Sequence, residues 1–329
     1  MPLEFLAEKS ILVTGGTGSF GQRFVRTLLE QTAASRIIVF SRDELKQSQM
    51  QTAFAPHLGR LRFFLGDVRD ASRLMRAFEG VDFVVHAAAL KQVPALEYNP
   101  FEAIQTNIIG TKNVIDAAID RGVEKVLLIS TDKAANPANL YGATKLCAER
   151  LIVSGNAYSG GRTKLAAVRY GNVLGSRGSL LKLVEEQRKT GVVTLTHEKM
   201  TRFWITLDQG VGLVMKALEM MHGGEIFIPK IPSMRVKDLL HSLAPECEMR
   251  IIGIRPGEKL HEVLVTPEEA RRAKEFDEHF VILPEFTADE TLALRYTQGK
   301  GFPEGASYGS ETNPQWLDEQ GLKDLLASL

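Results

Sequence analysis

The chain has 329 residues, 44% of them hydrophobic, with 40 Lys plus Arg against 40 Asp plus Glu and a formal net charge of zero. This length suggests two domains, and the balanced charge excludes a global field drawing the molecule to nucleic acid or an anionic membrane. Two cysteines, Cys147 and Cys247, argue against a disulfide framework or a thiolate metal site. No apolar run approaches the roughly 20 residues that cross a bilayer, the acidic stretch MPLEFLAEKS does not read as a signal peptide, and a cytoplasmic enzyme is expected.

An apolar strand near 10–14 runs into Gly15, Gly16, Gly18 and Gly21 of SILVTGGTGSFG, and QRFVRTLLE continues with helical spacing. Glycines in such a turn let backbone N–H groups approach a pyrophosphate at the positive end of a helix. Gly15, Thr17, Gly18, Ser19, Phe20 and Gly21 are its candidate binding residues. The second strand, near 36–40, ends in Ser41, Arg42 and Asp43, with Lys46 one turn further on. An acidic residue arriving first would favour the free ribose hydroxyl of NAD. Ser41, Arg42 and Lys46 instead suit a 2′-phosphate and point to NADP, with Asp43 left to a helix N-terminus.

The third strand, near 61–65, leads to Asp67 and Val68, expected at the adenine ring. The fourth, near 82–86, ends in Ala87, Ala88 and Ala89, small enough not to obstruct a dinucleotide, and His86 within it is expected as a packed core histidine. In QTNIIGTKNVIDAA, Asn107 is read as support for the site that follows, whereas Asn113 fits a polar core network equally well.

The fifth strand, near 124–130, runs into STDKAANPANLYGATK. Tyr141 and Lys145 are four apart and share a helical face, where a cation beside a phenol (reference pKa about 10) favours phenolate and general-base work. An isolated YxxxK also fits an ordinary helix. What singles this one out is that it and the glycine turn both follow strand carboxyl ends of one alternating β/α pattern, and so face one crevice. The expected fold is α/β, a Rossmann-type doubly wound parallel sheet with a smaller C-terminal α/β substrate-binding domain. Residues 1–170 would bind the dinucleotide and 171–329 mainly the substrate, with about 206–222 returning to the first domain.

Past residue 160 come a strand at 165–170, a loop with Asn172, Gly175, Arg177 and Gly178, and a helix from about 180. MTRFW, a helical stretch near 206–222, the strand EIFIP and IIGIRPGEKLHE follow. Phe203 and Trp204 are read as core residues or as flanks of a ring. His261 and Glu262 fall short of a ligand set, and no metal is expected.

From Ile11 to Trp316 the chain resembles the inverting UDP-N-acetylglucosamine 4,6-dehydratases of the extended short-chain dehydrogenase/reductase superfamily. The strings carrying the resemblance include VTGGTGSFG, FSRDELKQSQM, HAAALKQVPALEYNP, STDKAANPANLYGATK, RYGNVLGSRGS, MTRFWITLDQG and IIGIRPGEKLHE. The resemblance implies that Tyr141, aided by Lys145 and Thr131, removes the C4-hydroxyl proton while hydride leaves to NADP⁺. Lys133 then takes the C5 proton, Asp132 protonates the departing C6 hydroxyl, hydride returns at C6, and C5 is reprotonated from the opposite face. It also implies substrate contacts at Lys91, Asn172, Val173, Arg202, Arg255 and Glu258, a homo-oligomer of hexameric form, and a place in pseudaminic acid biosynthesis. Retaining dehydratases have Asp–Glu where this chain has Asp132–Lys133. A lysine base must be neutral, so burial and nearby cations are expected to lower the Lys133 pKa, while a charged pair reaches the active form by one proton transfer. A retaining dehydratase, a 4-epimerase and a silent NADP-binding regulator are the alternatives.

Overall fold

The computed structural model describes residues 3–176, 180–287 and 289–327; Arg177 and Gly178 of the loop named above lie outside them. Six strands, β1 (Ser10–Thr14), β2 (Arg36–Ser41), β3 (Leu61–Leu65), β4 (Phe83–His86), β5 (Lys125–Thr131) and β6 (Lys164–Tyr170), pair in parallel in the order β3-β2-β1-β4-β5-β6. β1 and β4 are buried along their whole length, which is why they read as unbroken apolar runs. The helices between them are α1 (Ser19–Gln31), α2 (Glu44–Ala53), α3 (Ala71–Ala77), α4 (Val93–Tyr98), α5 (Pro100–Ala103), α6 (Gly110–Arg121) and α7 (Leu140–Gly155). A π-helical turn, Ile104–Ile109, joins α5 to α6 and carries Asn107.

Residues 172–205 leave this layer as β7 (Asn172–Val173), α8 (Leu180–Arg188), β8 (Val192–Leu195) and β9 (Thr201–Ile205). Helix α9 (Leu207–Met220) comes back to pack on α1, with an Arg23–Asp208 ion pair tying the first helix to it. β10 (Ile226–Pro229) then joins β6 in parallel. A second excursion contains β11 (Ser233–Arg235), α10 (Val236–Leu243), β12 (Glu248–Ile251), β13 (Val263–Val265) and α11 (Pro267–Ala270). β14 (Ala273–Glu275), β15 (His279–Ile282) and β16 (Lys300–Gly301) extend the sheet antiparallel beyond β10, to ten strands. β17 (Tyr308–Gly309) pairs with β13, and α12 (Glu319–Ala327) packs on α10.

Two apolar cores result. The larger sandwiches the sheet, and the smaller gathers Leu174, Val193, Trp204, Met234 and Leu239 from the two excursions and Leu322 from α12. Strands β7 and β9 pair in parallel, Asn172 opposite Trp204, so the second unit begins where the carboxyl ends of the large sheet open.

Candidate active site

A cleft of about 630 Å³ runs from the glycine turn after β1 to the end of β5. It lies where the strand order reverses between β1 and β4, the place where open α/β sheets leave room for a ligand. Gly15 has φ +65°, and a Cβ there would stand 2.8 Å from the Ala88 nitrogen. A Cβ on Gly21 would stand 2.5 Å from the Gly16 Cα. Only glycine therefore lets the turn press against both the β4 loop and α1. Gly18 is the N-cap of α1, and no side chain caps that helix, whose positive end opens beside the cleft.

Thr17, Ser19, Phe20, Ser41, Arg42 and Lys46 line this half, as do Asp67, Val68 and Ala87 to Ala89. Arg42 is exposed and reaches Asp67 at 3.3 Å. Asp43 caps α2 through the Lys46 nitrogen at 2.9 Å and pairs with the Lys46 ammonium. Burial works against ionisation of Asp67, but hydrogen bonds from Arg69 win and hold its carboxyl below the ordinary range. Asn113 donates to the Val68 and Arg69 carbonyls, both at 3.1 Å, and so fixes the loop that carries Val68. His86 bridges Thr14 at 2.7 Å and Thr111 at 3.1 Å; burial pushes its pKa down to about 3, and it is a neutral core group.

At the other end of the cleft Thr131, Lys133, Tyr141 and Lys145 share the wall. Asn139 caps α7 by accepting from the Gly142 nitrogen at 2.8 Å, which sets the first turn and with it Tyr141. Gly142 admits no side chain, since a Cβ would lie 2.2 Å from the Lys133 carbonyl. Asp132 is wholly buried behind the wall: its Oδ1 accepts from Thr131 and from Lys133, both at 3.0 Å, and its Oδ2 has no partner. Asn107 also stands behind the wall, clasping the Leu90 backbone at 2.8 and 2.9 Å and donating to Thr144 of α7 at 3.0 Å.

The electrostatics differ from expectation in two respects. Lys145 donates to the Ile129 carbonyl at 2.7 Å, and burial lowers its pKa to about 8 despite the opposing pull of Glu149. The cation acting on Tyr141 is Lys133, and burial outweighs it, pushing the phenol up to about 12. Burial also disfavours the Lys133 ammonium, but Asp132 and Glu262 more than compensate and hold its pKa above the usual lysine range. Lys133 thus rests as a charged partner of the buried carboxylates; the cations around it do not make it neutral.

Of the residues expected at the substrate, Lys91, Asn172 and Val173 line the cleft, whereas Arg202, Arg255 and Glu258 do not. Arg202 is buried and donates to the Thr201, Leu260 and Lys259 carbonyls at 2.7, 3.1 and 2.9 Å, with Glu258 at 3.6 Å. Its guanidinium clamps the 258–262 segment to β9, a use invisible in sequence because the two are far apart in the chain. Arg255 is exposed, and its backbone N–H meets the Glu258 carboxylate at 3.4 Å.

Three cleft residues went unnoticed or undervalued in the sequence: Thr106, Ser130 and Trp204. Each is buried, and each carries a polar atom (Oγ1, Oγ and Nε1) with no hydrogen-bond partner among the described residues; the Asn172 Oδ1 is in the same condition. Buried polar atoms almost always find a partner, so four of them around one cleft mark it as a place for a polar ligand. Glu262 was also passed over. It lies buried against Lys133, and the only signal available was its place in the RPGEKLHE string. Among the described residues no group of three or more His, Cys, Asp or Glu is placed to hold a metal ion, and no helix is long and apolar enough to cross a membrane.

Residues 11–284 match the family model described as polysaccharide biosynthesis protein. A UDP-N-acetylglucosamine 4,6-dehydratase (inverting) from Campylobacter jejuni is 48% identical, over 97% of each chain. A protein named UDP-glucose 4-epimerase from Rickettsia conorii is 40% identical, over 98% of this chain and 96% of its own. Among solved structures, Pen from Bacillus thuringiensis superposes with a TM-score of 0.90 at 37% identity, over 98% of both chains. The chain belongs to this polysaccharide biosynthesis family. Within it, the chain groups with the inverting UDP-N-acetylglucosamine 4,6-dehydratases, enzymes of the lyase class built on the short-chain dehydrogenase/reductase fold.

Proposed function

We propose that this enzyme removes water from UDP-N-acetylglucosamine across C5 and C6, with inversion at C5, to give UDP-2-acetamido-2,6-dideoxy-β-L-arabino-hex-4-ulose. The observation that carries this reading over the epimerase and retaining alternatives is the Asp132–Lys133 pair, with Lys133 at the cleft wall and Asp132 buried behind it, 3.0 Å away. An epimerase does not need it, and a retaining dehydratase has a carboxylate where Lys133 stands.

The glycine turn, the uncapped N-terminus of α1 and the small Ala87 to Ala89 fit a dinucleotide. Arg42 and Lys46 at the cleft edge support a 2′-phosphate, hence NADP. NADP, when bound, supplies reversible hydride transfer with the sugar. Tyr141 takes the C4-hydroxyl proton as a phenolate, which the Thr131 hydroxyl and the Lys133 ammonium favour against burial, with Lys145 one turn further along α7. Lys133, after passing its proton to Asp132, abstracts the C5 proton, and Asp132 returns a proton to the departing C6 hydroxyl. The pair gains one proton from C5 and gives one to the departing hydroxyl, so it ends with one; hydride then returns at C6, the proton entering C5 from the opposite face is drawn from solvent, and Tyr141 releases the C4-hydroxyl proton to solvent in exchange. Lys91, Asn172 and Val173 face the nucleotide sugar, Arg202 with Glu258 at 3.6 Å acts by holding the segment over the site, and the exposed Arg255 beside it is free to reach the nucleotide.

The reading further includes a cytoplasmic homo-oligomer of hexameric form at the first step of pseudaminic acid biosynthesis. Support for assembly comes from Tyr98 of α4 and Phe101 of α5, 87% and 78% exposed on neighbouring helices. The test of function is proton NMR of the purified protein with UDP-N-acetylglucosamine in deuterated water, without added NADP. A 6-deoxy-4-keto product with deuterium at C5 and L-arabino couplings is expected. D-xylo couplings would overturn the role given to Lys133, and a product still oxygenated at C6 would favour the epimerase.

A further inference from the structure

The Asp132–Lys133 pair does not stand alone. Glu262, which follows the RPGEKLH stretch and precedes β13, is 1% exposed and sends its carboxylate toward Lys133. Its Oε1 lies 3.5 Å from the Lys133 Nζ and 3.8 Å from the Arg202 Nε, and its Oε2 lies 3.2 Å from the Lys259 Nζ. The backbone on either side is pinned. The Glu262 nitrogen donates to the Ser310 Oγ at 2.9 Å, the Ser310 nitrogen donates to the Glu262 carbonyl at 2.8 Å, and Lys259 donates to the Ala135 carbonyl at 2.7 Å. The backbone fixes where this buried carboxylate sits, and the three cations within 3.8 Å keep it charged through ion pairing, its Oε2 close to Lys259 but without a well-formed hydrogen bond.

The proton count of the pair shows what that charge does. Acid–base work by Asp132 and Lys133 needs one proton shared between them. With two protons there is no base, and with none there is no acid. Arg202 from β9 sets a positive charge near the pair that acts to expel the Lys133 proton, while Lys259 from the preceding loop lies against Glu262 at 3.2 Å. Tyr141 on α7 is neutral, Glu258 lies against Arg202, and His261 turns away to Thr201 at 2.8 Å, with Glu311 at 3.6 Å. Glu262 is therefore the anion placed to oppose Arg202. We propose that Glu262 is a positioning residue that keeps the single working proton on the Asp132–Lys133 pair at neutral pH. The direction of the electrostatics agrees: Glu262 raises both Asp132 and Lys133, whereas Arg202 lowers Lys133. Glu262 itself is disfavoured by burial, but Lys133, Arg202 and Lys259 hold it below the ordinary glutamate range, so it stays anionic while the pair exchanges its proton.

The proposal rests on the dehydratase reading above, and its test separates the two. Glu262→Gln keeps the shape and removes the charge. Relative to the wild type, its kcat profile for dehydration shifts toward lower pH by about one unit or more, with KM changed by less than about threefold, because both members of the pair lose their proton more easily. Glu262→Asp returns the profile toward that of the wild type. In parallel, the Lys133 ammonium is titrated by nitrogen-detected NMR in both proteins, assigned with Lys133→Met, and the Gln variant is expected to release its proton at lower pH. An unshifted profile together with an unshifted Lys133 titration overturns the proposal, however far kcat falls, since a purely structural residue would lower amplitude alone. Should the wild type give no 6-deoxy product, the dehydratase reading fails, and the Lys133 titration still decides whether Glu262 governs the proton.

Discussion

Lys133 and Lys145 are both lysines at the cleft wall, and their surroundings drive them in opposite directions. Asp132 and Glu262 hold Lys133 charged, while Lys145 donates to the Ile129 carbonyl and is pushed by burial down to about 8. Lys133→Met is expected to lower dehydration by about 10²–10⁴-fold, the usual worth of a general base, while NADP affinity changes by less than about threefold. A mutant that dehydrates normally would remove Lys133 from the mechanism. Because Lys145 has a lowered pKa, its charge is present below about pH 8 and lost above it. kcat/KM, which reports the free enzyme, should therefore fall on the alkaline side with a midpoint near pH 8, and Lys145→Arg should move that limb upward. An alkaline limb unchanged by the substitution would assign it to another group.

Helix α7 connects the chemistry to the rest of the fold. Tyr141 and Lys145 occupy its first turns, and one turn beyond Lys145 the buried Glu149 accepts from Arg169 of β6 at 2.6 and 3.0 Å. Arg169 also grips Glu269 of α11 with two bonds of 2.8 Å, so one fully buried guanidinium joins the sheet, the catalytic helix and the C-terminal segment. Replacing the cation alone strands two carboxylates in the core. Arg169→Met should cost about 3–5 kcal/mol in urea unfolding, and a loss under about 1 kcal/mol would show that water reaches the site. Burial raises the Glu269 pKa, but Arg169 outweighs it and leaves the group below its ordinary 4.5. Its contribution to stability is thus complete above the unfolded-state pKa and lost as pH falls through the lower folded value.

For the whole molecule, the ten-stranded sheet carries the cleft at its carboxyl edge, and the two excursions bring β7, β9 and the 258–262 segment over that edge. Lys259 and Asn139 are the stitches: Lys259 donates to the Ala135 carbonyl at 2.7 Å and Asn139 to the Gly257 carbonyl at 2.8 Å. Outside the cleft, Tyr98 and Phe101 expose large apolar surface that the proposed oligomer would cover. Tyr98→Ser combined with Phe101→Ser should lower the sedimenting mass without unfolding the chain, and an unchanged mass would place the interface elsewhere.

Much of this was legible in the sequence because it depends on local periodicity. Strands β1 to β6 fell within a residue or so of their expected ranges, since each is a short apolar run bounded by glycine, alanine or polar residues. Gly15, Gly21 and the Tyr141–Lys145 spacing were readable for the same reason: backbone geometry alone sets their requirements. The charge state of Lys133, the clamp role of Arg202, and the place of Glu262 were decided only by the tertiary structure. Glu262 lies far along the chain from Lys133, and residues distant in sequence act on one another electrostatically only when folding brings them within a few ångströms and removes the water between them.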